Sequence, residues 1–156
     1  MSGMQAVLLP VGAEVYALDI DWVREVVAGP EVAPLVTAPP FVVGLFNLRG
    51  QIVPLFDTAA LLGVGRPGPD PAAGPAPFAA VVETPDGLAG LAATALPWRT
   101  ELGAVTGPSE RPGTAGVHRD GDRVVVRLDP AVLLTPERLR GDTREQSPTG
   151  AGPWRP

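Results

Sequence analysis

Cysteine and lysine are both absent from these 156 residues, and histidine occurs once, as His118. Without cysteine there is no thiolate nucleophile, no disulfide framework and no thiolate-ligated zinc or iron–sulfur centre. Without lysine there is no Schiff base, no phosphate-loop lysine and no anchor for biotin or lipoate. One imidazole does not build a multi-histidine metal site. Catalysis would rest on carboxylates, arginine, or the serines Ser2, Ser109 and Ser147. Neither an enzyme nor a cofactor or metal centre is expected.

Basic charge is scarce as well. The 12 basic residues, all arginine, face 17 acidic ones, for a net charge of −5. A nucleic-acid binder needs a basic footprint to displace counterions from phosphates, so no nucleic-acid partner is expected. Long apolar runs are missing too, since nothing approaches the ~20 residues of a membrane span. Residues 1–13 hold no basic segment and only a proline-broken apolar run, a poor match to a secretion signal. These features point to a cytoplasmic protein without direct membrane insertion.

Glycine (19) and proline (20) are plentiful, together a quarter of the chain, beside a hydrophobic fraction of 45%. The length suits about one domain at ~150 residues each, enough to bury roughly two-thirds of the unfolded surface. The glycine and proline content turns the expectation from a helix bundle toward short strands, tight turns and some disorder.

Along the chain, a hairpin is predicted over residues 5–11 and 14–19, with Tyr16, Leu18 and Ile20 on one face and Val15 and Ala17 on the other. Asp19 then precedes Ile20, Val23 and Val27 at helical spacing. That predicts a capped helix of one to two turns, ended by Gly29-Pro30. Residues 31–37 read as extended. Residues 41–57 are two apolar runs joined by Asn47-Leu48-Arg49-Gly50, the second a strand in which Pro54 favours an edge or a bulge. Asp57 caps a short helix over 58–62, closed by Gly63. Residues 65–77 are nearly all Gly, Pro, Ala and Asp, which predicts a disordered insertion.

Hairpins follow at 78–84 with 88–95, across Pro85-Asp86-Gly87, and at 117–119 with 123–128, across Asp120-Gly121-Asp122. Between them residues 96–116 are polar, with one short strand expected near Ala104-Val105. Asp129-Pro130 opens a short helix to Leu134, and residues 141–156 read as a disordered tail. Strands at ~8–12-residue spacing, with short helices between, suggest small barrels.

Several letter matches carry no chemistry. Gly63-Val64-Gly65-Arg66-Pro67-Gly68 spells G-x-G-x-x-G, but it follows a helix and runs into prolines that withdraw amide donors. None of the three serines sits on the strand-to-helix elbow a nucleophile needs. His118, beside Arg119 and Asp120, reads as a solvated hairpin residue. Asp120 with Asp122 is turn chemistry, and Asp19 with Asp21 is the acidic first turn of a helix. Trp22 and Trp98 read as buried anchors rather than partner-facing ones. Glu25 and Arg49 differ from these. Each lies in an apolar frame, Val23-Arg24-Glu25-Val26-Val27 and Phe46-Asn47-Leu48-Arg49-Gly50. A charge there either points to water or needs a partner.

Tyr16-Ala17-Leu18-Asp19-Ile20, then Val23-Arg24-Glu25-Val26, then the block from Pro40 through Asn47-Leu48-Arg49-Gly50 to Asp57 resemble the CheW family of chemotaxis coupling proteins. Gly90-Leu91 and Arg123-Val124-Val125-Val126-Arg127-Leu128-Asp129 resemble its second half more loosely. The resemblance spans residues 5–139. It implies a mainly β fold, two SH3-like five-stranded β-barrel subdomains packed together with a few short helices. Residues 1–140 would form that single domain.

The resemblance also implies an adaptor without catalysis or cofactor. Its partners would be the regulatory domain of a CheA-type histidine kinase and the cytoplasmic tip of methyl-accepting chemoreceptors. Partner contact would fall around Gly44, Asn47, Arg49 and Gly50, and Glu25 would pair with Arg49 in a partly buried ion pair. The chain departs from the family in its 65–77 insertion, in its polar 96–116 stretch, and at two residue pairs. Ala93-Thr94 stands where a Val-Asp pair commonly follows the Gly-Leu, and Thr58-Ala59 where Leu-Arg follows the motif's Asp. A diverged paralogue that binds one partner, or serves another chemosensory pathway, is the alternative reading.

Overall fold

The computed structural model describes residues 3–35, 39–64 and 76–135. In chain order the strands are β1 (Met4–Val11), β2 (Glu14–Asp19), β3 (Val23–Ala28), β4 (Val32–Ala33), β5 (Val42–Leu48), β6 (Gln51–Phe56), β7 (Phe78–Thr84), β8 (Gly87–Ala93), β9 (Trp98–Leu102), β10 (Thr114–Asp120) and β11 (Arg123–Leu128). Helix α1 (Thr58–Leu62) follows β6, and α2 (Pro130–Leu133) follows β11. The strands make a five-stranded sheet, β10-β11-β2-β1-β9, and a six-stranded sheet, β3-β7-β8-β6-β5-β4. The mainly β architecture is as expected, with a sixth strand in the second sheet.

Strand alternation sorts the side chains into three cores. Ala6, Leu8, Ala17, Leu102 and Val125 gather inside the first sheet. Phe46, Leu48, Val53, Leu55, Ala79 and Val81 gather inside the second. The opposite faces of several of these strands build the largest core, a seam between the sheets. Leu9, Val11, Tyr16 and Leu18 enter it from the first sheet, and Ala80, Val82 and Leu91 from the second. β1 and β7 are therefore buried on both faces, which accounts for their unbroken apolar runs. Thr94 staples the seam: its amide donates to Pro10 O at 3.0 Å, and its hydroxyl accepts from the Gly12 amide at 3.0 Å.

Local chemistry sets several boundaries. Asp57 Oδ1 accepts from the Ala60 amide at 3.2 Å and caps α1, and Gly63 ends it in the left-handed conformation at φ 71°. Pro130 opens α2 at its first turn, where the missing amide costs nothing. β7 and β8 meet through Pro85-Asp86, with Thr84 paired to Gly87.

Residues 20–28 depart from the sequence reading. Only a 3₁₀ turn, Ile20–Trp22, forms behind Asp19, whose side chain does cap it by accepting from the Asp21 amide. Val23–Ala28 is a strand whose burial alternates residue by residue, antiparallel to β7. The β-branched run prefers the pleated surface, and pairing with β7 satisfies its backbone.

Four further expectations change. The strand in the polar segment is Trp98–Leu102 rather than 104–105. Trp98 is more than one-third exposed, with the Arg123 guanidinium 5.6 Å from its ring centroid. His118 is buried, not solvated. Pro54 lies in an interior strand: it faces Leu45 of β5, and the parallel pairing of β6 with β8 covers only Leu55 and Phe56. The expected disordered tail lies outside the described residues, as does the insertion except for Ala76 and Pro77.

Candidate partner-docking site

β5 and β6 are joined by the two residues Arg49 and Gly50, since Leu48 pairs directly with Gln51. Both carry positive φ, 49° and 91°. That is the mirror-image turn whose twist matches a right-handed hairpin. Gly50 accepts it freely. Arg49 is the one non-glycine residue with positive φ among the described residues, and a β-carbon is crowded in that conformation. Asn47 supports the turn, its Oδ1 accepting from the Gly50 amide at 2.8 Å.

Arg49 Nη2 donates to Glu25 Oε1 at 2.6 Å. The Arg49 side chain is 73% exposed and that of Glu25 23%. Glu25 shares its face of β3 with Val27, which packs on the core inside the second sheet. The pair thus ties the edge strand β3 to the tip of the β5–β6 hairpin. The hydrogen bond to Glu25 first, and its negative charge second, hold the Arg49 guanidinium above its ordinary range. Its other donors remain in the open. One strand position away, Arg24 pairs with Glu83 at 2.8 Å with both side chains more than half exposed, an arrangement worth at most ~1 kcal/mol.

Gly44 lies apart from the hairpin tip. It is buried in β5, and a β-carbon there would lie 2.3 Å from Ala33 O and 2.6 Å from Val32 Cγ1. Its lack of a side chain lets β4 close onto β5. Asn47, Arg49 and Gly50 do come together at the hairpin tip, exposed, with Glu25 beneath.

Two features escaped the sequence reading. Ile52, cross-strand from Asn47, is 62% exposed, and Val26 beside Glu25 is 38% exposed. Apolar residues in strands are assigned inward by default, and only the register turns these two outward. A cavity of about 760 Å³ also opens along the seam, where Thr58, Ala59, Ala93 and Thr94 meet beside Val11 and Val64. The two departing residue pairs, distant in sequence, share that one cavity. Thr58 Oγ1 donates to Ala92 O at 2.8 Å and links them.

Two sheets around a common seam, with a charged hairpin held out to solvent, define a two-sheet β module. The chain belongs to the CheW-like domain family, whose model matches residues 5–138. It is 42% identical over 53 residues to a chemotaxis protein CheW of Treponema pallidum (strain Nichols), covering 34% of this chain and 31% of the relative. It is 34% identical over 62 residues to a chemotaxis protein CheW of Rhizobium meliloti (strain 1021), covering 40% of each. The matched stretches thus span less than half the length of these relatives. The fold is similar to the crystal structure of scaffolding protein TtCheW from Thermoanaerobacter tengcongensis, with a TM-score of 0.72 and 24% identity over 85% of this chain and 92% of that one.

Proposed function

We infer that the protein is a non-catalytic cytoplasmic adaptor that couples methyl-accepting chemoreceptors to a CheA-type histidine kinase. Family membership over residues 5–138 supports the role. The observation that carries the site is Arg49, kept at an unfavourable φ on an exposed turn and anchored by Glu25. A fold gains little from arginine at that turn, whereas a partner carboxylate would gain a preorganised fork of donors. Asn47, Gly50 and Ile52 complete the surface. Co-sedimentation with receptor-bearing membranes and purified kinase tests the reading. The protein should bring kinase into the pellet, and Arg49→Ala should weaken that recruitment. A protein that pellets with neither partner would remove the adaptor role.

One observation favours a second reading, a paralogue that keeps a single partner or serves another chemosensory pathway. The neutral Thr58-Ala59 and Ala93-Thr94 meet in the seam cavity, where the family commonly carries charge. Binding to kinase without binding to receptor in the same assay would establish it.

A further inference from the structure

No further inference is drawn: the strongest candidate, the seam cavity of about 760 Å³ where Val11, Ala59, Val64 and Ala93 meet beside Thr58 and Thr94, is an apolar groove with nothing in the structure to show what covers it.

Discussion

Glu25 and Arg49, 24 residues apart in sequence, meet at 2.6 Å and tie β3 to the β5–β6 turn. The carboxylate is mostly covered and the guanidinium mostly open. A bond with one exposed end gains little in stability, because water competes for the open partner. Its effect is orientation: Glu25 fixes one edge of the fork and leaves the rest for a visitor.

A double-mutant cycle of Glu25→Ala and Arg49→Ala separates these effects. Each single change should lower the thermal midpoint by no more than about 3 °C. Kinase or receptor recruitment should fall in both, and the double mutant should bind no worse than Arg49→Ala. Additive binding losses would show that Glu25 contacts a partner itself.

Gly44 should act through the fold. Its missing side chain leaves room for the Ala33 carbonyl, 2.3 Å from where a β-carbon would stand. Backbone cannot swing aside as a side-chain tip can. Gly44→Ala should cost ~1–3 kcal/mol in a denaturant melt as β4 is pushed off β5, and Gly44→Asp should cost more. An unchanged midpoint with lost partner binding would return Gly44 to the contact surface.

The parts of the fold that residues declare locally were legible in the sequence. Asp57 and Gly63 bracket a helix because a carboxylate and a left-handed glycine satisfy its ends. The glycines at 50, 87 and 121 mark hairpins because each holds positive φ. Ile20, Val23 and Val27 misled, since spacing that fits a helix also fits a bulged strand. The choice was made by β7, with Glu83 lying 59 residues from Arg24. β9 hid as a polar loop because, as an edge strand, Trp98-Arg99-Thr100-Glu101-Leu102 turns only Leu102 fully inward. The Glu25–Arg49 pair was suggested by two charges in apolar frames together with the family resemblance, which sets their segments side by side. Its exposure depended on the turn geometry, which no spacing reveals.

Tyr16 gives a clean alkaline signature. Burial first, then the hydrogen bond its hydroxyl donates to Glu14, pushes its pKa up to about 12 from 10.0. The folded state therefore keeps a proton that the unfolded chain releases. The resulting stability is fully present below pH 10 and is lost as pH rises from 10 toward about 12. With no lysine or cysteine in the chain, no other side chain except arginine ionises near that window. The midpoint should drop by several degrees, on the order of 5 °C, between those limits. Phenolate absorbance, from the single tyrosine, should rise with it. Tyr16→Phe should flatten the profile; a drop that persists in it would place the cause elsewhere.

Arg49 offers the sharpest separation of folding from binding. At φ 49° its β-carbon is crowded, and glycine or asparagine would hold the same turn with less strain. Arg49→Gly loses an exposed ion pair, a small stabilising contribution, and relieves the backbone. Arg49→Asn does the same with less added freedom in the unfolded chain. Both variants should melt within about 2 °C of the parent or above it, with Asn the more stable. Partner recruitment should nevertheless fall in both, because no side chain now presents charged donors at the hairpin tip. Arg49→Lys should bind weakly too, since a point charge cannot reproduce the planar fork. Stability that collapses in Arg49→Asn would make the residue structural, and full recruitment by that variant would remove Arg49 from the docking surface.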